Sequence, residues 1–140
     1  MRVEPVKPDF INPVYVEDSC RYNSCLDYYL SRLIDSDTLR SVWIDYEVGA
    51  TVSGAAIFWQ IDKNGNVRTG KVIKYDPKSG HRIKDGSGVN WIHAMMKKRG
   101  LLPDTFHLVQ CLFGEHLLAE YPDKSVALVE AEKTALVGAC

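Results

Sequence analysis

Residues 63–100 gather ten lysines and arginines against two acids, Asp76 and Asp85, a local excess of eight positive charges in a chain whose net charge is −1. The chemistry such a stretch suits is neutralisation of a polyanion, because each phosphate paired with Lys or Arg releases a counterion. His81, Trp91 and His93 interleave with these charges, and aromatic rings can stack on bases. The main candidate phosphate contacts are Lys71, Lys74, Arg82 and Lys84. Lys97, Lys98 and Arg99 join them, although cations in the last turn of a helix already have a structural reason, the negative end of its dipole. The bland alternative is a solvated hairpin and helix whose lysines keep the surface wet.

A second chemistry centres on Glu130, where an expected strand meets an expected helix. Open α/β sheets place catalytic groups at that junction, and a carboxylate there could serve as a base or help hold Mg²⁺. Glu130 or Glu132 would also sit well there simply by complementing the positive end of the helix dipole. Other motifs fail on their mechanics. Lys133-Thr134 has no glycines to cradle phosphate, and neither GxSxG nor HExxH occurs. His81, His93, His107 and His116 are scattered, Cys111 beside Leu112 and Phe113 reads as a small buried hydrophobe, and Cys20 and Cys25 lack the second pair that a zinc site needs. The four cysteines are too irregular for a disulfide framework and read as free thiols.

The elements that must position these groups follow from periodicity. Pro5, Pro8 and Pro13 point to an extended arm over residues 1–23. Leu26, Tyr29, Leu30, Leu33 and Ile34 form a helical stripe, and Ser36 is a plausible cap for a second helix carrying Leu39, Val42 and Trp43 and ending before Gly49. The stretches 55–61 and 67–75, joined through Asn64-Gly65, predict a β-hairpin. In its second strand neither face is cleanly apolar, which suits a hairpin lying across a groove. A turn over 76–80, a flexible loop over 84–88 and a helix over 90–99 come next, followed by a helix over 113–120, a buried-type strand over 125–129 and a helix over 131–139. Trp43, Trp59, Tyr28 and Tyr29 are expected in the core.

VALVEAEKTAL at 126–136 resembles the first motif of the Toprim fold, a hydrophobic strand ending in a glutamate, here Glu130, before a helix. The hairpin at 57–76 resembles the one preceding Toprim in bacterial-type DNA primases, and 111–120 resembles the helix just upstream of the Toprim strand. With the helical pair, residues 24–139 are similar to primase-like proteins of bacterial mobile elements. The resemblance implies a basic subdomain over 24–110 that guides single-stranded DNA or RNA template, and over 111–140 the beginning of a Toprim-like subdomain. It also implies Mg²⁺ bound by Glu130 in a complete parent enzyme. The chain lacks both the later aspartate pair and the cysteine-rich ribbon of that pattern, so it is expected neither to hold Mg²⁺ tightly nor to polymerise nucleotides unless a longer parent supplies an Asp-x-Asp.

At 140 residues, with 46% hydrophobic and 25% charged residues, the chain can bury one core and is not disordered. It shows neither a bilayer-length apolar run nor an apolar signal-peptide core, so a soluble, cytoplasmic protein without a membrane partner is expected. The expected fold class is α+β, with a helical pair, an antiparallel sheet containing the hairpin, and a carboxy-terminal β–α unit. A buried-type strand at 125–129 needs neighbours, which suggests self-association through an incomplete sheet. The competing function is a non-catalytic interaction or structural domain.

Overall fold

The structure, a computed structural model, describes residues 7–84 and 89–140. Its centre is the expected hairpin, β2 (Ala56–Ile61) paired antiparallel with β3 (Val67–Ile73). Gly65 takes φ 84° in the turn, a conformation a side chain would disfavour. The Asp62 carboxylate closes the loop by accepting from the backbone N–H of Asn64 at 2.9 Å and of Asn66 at 3.0 Å. Two short strands, β1 (Gly49–Ala50) and β4 (Asn90–Trp91), extend the sheet in the order β1-β2-β3-β4, all antiparallel.

Gln60 opposes Thr69 whereas Ile61 opposes Val67, so Arg68 is an extra, bulged residue. The bulge returns Val67 to the face of Ile61, Trp59, Ile57 and Val72, which packs on Ile11, Val16, Met96 and Phe106. Ala56, Phe58 and Ile73 point the other way, into Leu26, Leu30, Leu39, Val42 and Leu136. Every residue of β2 is buried. Hence the mixed pattern of β3: the sheet is covered on both sides, so neither face needs to be polar.

Helices α1 (Val14–Ser19) and α4 (Ile92–Lys98) lie on the Trp59 face, and α2 (Cys25–Leu30), α3 (Ser36–Tyr46) and α6 (Glu132–Ala139) on the Phe58 face. The remaining helix, α5 (Glu115–Glu120), follows Phe113, whose ring meets those of Phe58 and Tyr46 at 5.5 and 5.2 Å. Close approach of α4 depends on Gly70, where an added Cβ would stand 2.9 Å from Ile92 Cγ1 and 3.0 Å from both Ile57 Cγ2 and Trp59 Cε3. The architecture is α+β, as composition and periodicity led us to expect.

Several local expectations change. Asn90 and Trp91, expected in the helix over 90–99, are strand β4, and α4 begins at Ile92. The arm is not extended throughout: Pro13 has φ −62°, which suits a helix start, and Ile11 is buried and bridged to Val67. The hydroxyl of Ser19 at the end of α1 accepts from the indole N–H of Trp59 at 2.9 Å, tying this segment to the sheet. Asp35, not Ser36, caps α3, accepting from the Thr38 N–H at 3.0 Å. Tyr28 points outward, 59% exposed, while Tyr29 and Trp43 pack against the core. Finally, residues 125–129 form no strand and pair with no strand of the sheet, and Val126 and Leu128 are exposed. The expected β–α unit is therefore a helix preceded by irregular chain. The first residues of the arm and residues 85–88 of the loop lie outside the described residues. Among the described residues no helix is long and apolar enough to cross a membrane.

Candidate nucleic-acid interface

Alternation along β3 sends Thr69, Lys71 and Ile73 to the Phe58 face, and pairing with β4 sets Trp91 beside Lys71. There the layer of helices leaves a groove of about 640 Å³. Its floor includes Gln60, Lys71 and Trp91, one wall is Val42 and Tyr46 of α3, and the other is residues 124–132. The Gln60 amide is buried but satisfied, donating to Gln110 Oε1 at 3.3 Å and accepting from the Cys111 N–H at 3.2 Å.

Lys71 does not reach solvent freely. Its ammonium donates to both Glu132 oxygens, at 3.1 and 3.4 Å, with the two side chains 24% and 16% exposed. Glu132 occupies the first turn of α6, where the helix dipole also favours a carboxylate. Its neighbour Lys133 donates to the Gly80 carbonyl at 2.6 Å and lies over the rings of Tyr29 and Tyr75. The start of α6 is thus pinned to both β3 and the turn at 76–80. Burial, and then the nearby Glu132 charge, push the Tyr75 hydroxyl up to about 12, against a smaller opposing pull from Arg82. That hydroxyl is a neutral group at physiological pH.

Lys74, Arg82 and Lys84 are exposed, and the chain folds back to bring them to one end of the sheet. Tyr75 bridges Arg82, and the Ile83 N–H donates to the Lys74 carbonyl at 2.9 Å. Lys97, Lys98 and Arg99 belong to α4 and its cap, in the layer over the other face; Lys97 lies 6.0 Å from the Phe106 ring centroid. The seven candidate cations therefore form three groups rather than one patch: Lys71 in the groove, Lys74 with Arg82 and Lys84 at the sheet end, and the α4 trio behind. Arg68, part of the same charge excess, is structural, its guanidinium donating to Asp62 at 2.8 Å and to the Val109 carbonyl at 2.9 Å.

Glu130 is exposed on the groove rim. As a Mg²⁺ site the residues present do not fit: Glu132 is held by Lys71, and among the described residues no three His, Cys, Asp or Glu side chains converge. Cys111 at the groove is pushed up to about 12 by burial and then by Glu115, so its thiol stays protonated and is no nucleophile. His93 accepts from or donates to Thr69 Oγ1 at 2.8 Å, and burial, then Lys97, hold its pKa below the ordinary imidazole value, keeping it neutral. Glu132 in the groove and its neighbour Lys133 are the residues whose role spacing did not reveal: their partners lie 61 and 53 residues away.

The family model of a domain of unknown function, DUF6371, matches residues 24–140. The chain belongs to the DUF6371 family. The DUF6371 region begins at Ser24, which caps α2 by accepting from the Asp27 N–H at 3.1 Å, and takes in all four strands, both walls of the groove and Glu130. Helix α1 and Ile11 precede it, although they complete the Trp59-side core of this DUF6371 chain. No curated protein and no solved structure matches the chain.

Proposed function

We propose that this DUF6371 domain is a nucleic-acid-binding module of a primase-like protein, and that it takes single-stranded DNA or RNA at the end of the sheet marked by Lys74, Arg82 and Lys84. The observation that carries the reading is the folding-back at Tyr75–Arg82, which brings exposed Lys74, Arg82 and Lys84 to one end of the sheet, Arg82 on the face of Tyr75 and Lys74 on the opposite face. One strand over, half-buried Trp91 presents a ring on which a base can stack. Phosphates bind the cations and position the strand without reading its sequence. Lys71, already neutralised by Glu132, shapes the groove rather than binding a phosphate. The resemblance to primases supports the template-binding role.

A second reading, a protein-interaction domain, draws on a different observation, the exposed Val126 and Leu128. Fluorescence anisotropy with a labelled oligothymidine at several salt concentrations separates the two. For a single strand the log–log salt slope scales as about 0.7 per phosphate neutralised, so replacing Lys74, Arg82 and Lys84 by Ala should reduce it by about 2. Replacing Lys97, Lys98 and Arg99 should change it less. An unchanged slope in the first variant refutes this placement of the strand.

A further inference from the structure

Between Lys124 and Glu130 the chain displays an apolar, strand-favouring sequence with nothing bonded to it. Val126 is 68% exposed, Leu128 82% and Val129 41%. Among the described residues, the backbone groups of residues 125–129 make no hydrogen bond. A run of unpaired N–H and C=O groups flanked by β-branched and aliphatic side chains is a template for another strand. The sequence of this segment says which strand fits.

The segment is complementary to itself when reversed. If two copies run antiparallel with Ala127 on the two-fold axis, Lys124 of one faces Glu130 of the other, and Glu130 faces Lys124. Val126 then faces Leu128 twice, and Ser125 faces Val129 twice. Alternation puts Lys124, Val126, Leu128 and Glu130 on one side of the strand, so the two ion pairs flank the apolar pairs on a single face. A slip by one residue sets Lys124 against Ala131 and Glu130 against Ser125, losing both ion pairs. A parallel in-register arrangement sets lysine on lysine. An isologous contact of this kind closes after two chains and does not propagate.

From this self-complementarity we propose that DUF6371 chains form a two-fold dimer by antiparallel pairing of residues 124–130. The partner is a second copy of this chain, and the contact is independent of the nucleic-acid reading. It turns the irregular 125–129 segment into a strand and shields Val126 and Leu128. Lys124 in the single chain rests 4.4 Å from the Tyr121 ring centroid, a contact it can keep while its ammonium turns to the facing carboxylate.

The test is sedimentation velocity of the full chain over a concentration series, with charge exchange at the two ends of the segment. All the altered side chains are exposed, so each variant should fold, which circular dichroism checks. The wild type should shift from monomer to dimer with concentration. K124E and E130K should each weaken the dimer about ten-fold, since each places like charges opposite one another twice. K124E/E130K restores both pairs with reversed polarity and should recover the wild-type association. In a background with Cys20 and Cys140 changed to Ser, oxidised A127C should cross-link more completely than S125C, because only residue 127 faces its own copy. A wild type that stays monomeric at every concentration overturns the proposal. So does a double exchange no better than the single ones, or equal cross-linking of the two cysteine variants.

Discussion

Replacing Lys71 by Met keeps most of the aliphatic volume of the side chain and removes the ammonium that holds Glu132 at 3.1 Å. Breaking one side of a fully buried ion pair costs about 3–5 kcal/mol, because the remaining charge is left in a medium that solvates it poorly. Here the Glu132 side chain keeps 16% of its exposure and the α6 dipole still favours its carboxylate, worth about 0.3–1 kcal/mol. These corrections bring the expected loss for K71M to about 2 kcal/mol. E132Q should cost at least as much, since it strands the ammonium and forfeits the dipole term as well. The double variant should be less destabilised than the sum of the two by about 1–2 kcal/mol, the coupling expected of groups in direct contact. Urea unfolding followed by tryptophan fluorescence reads all four corners of the cycle. Hydrogen exchange should show the loss concentrated in α6, whose Leu136 is fully buried under the sheet. Additivity within about 0.5 kcal/mol would refute the claim that this pair pins α6 to β3.

G70A should destabilise by about 1–3 kcal/mol, measured by the same urea unfolding, because the new methyl group overpacks the seam between Ile92, Ile57 and Trp59. Burial alone would raise the Asp62 pKa, but the Arg68 guanidinium and the backbone N–H groups of Asn66 and Asn64 outweigh it and hold the carboxyl below its ordinary value of 3.8. The stabilisation from that ionised carboxylate is therefore fully present above 3.8 and fades as the pH falls through the lower native value. D62N should accordingly be less stable than wild type at pH 7, with the difference shrinking on acidification; a difference constant from pH 7 down to pH ~2 would contradict the assignment.

The hairpin was legible because its signals are local: Asn64-Gly65 supplies the turn, and the flanking strand-forming residues need only each other. The helical stripes of α2 and α3 were legible for the same reason, and so was α4 apart from Asn90 and Trp91, which pair with β3 instead. Helix α1 was hidden by three prolines read as breakers, although a proline fits the first turn, where its missing N–H has no intrahelical partner. Residues 125–129 show the opposite error. Their β propensity is high, yet propensity becomes a strand only beside a partner, and the four-stranded sheet ends elsewhere. The bulge at Arg68 explains why the polarity of β3 looked ambiguous, since one extra residue exchanges faces midway. At the candidate site, composition located the charge excess but could not divide it. Whether Lys71 meets phosphate or Glu132 depends on a residue 61 positions away, and the separation of the α4 trio from Arg82 depends on which face of the sheet α4 covers.

Chemical-shift mapping of the full chain titrated with a short single strand reads directly whether this sheet end binds a nucleic-acid backbone. The amides of Lys74, Arg82 and Lys84 and the indole of Trp91 should shift together and saturate at one strand concentration, and added salt should reverse the shifts. No shift at these positions, or shifts confined to residues 97–99, would contradict that binding.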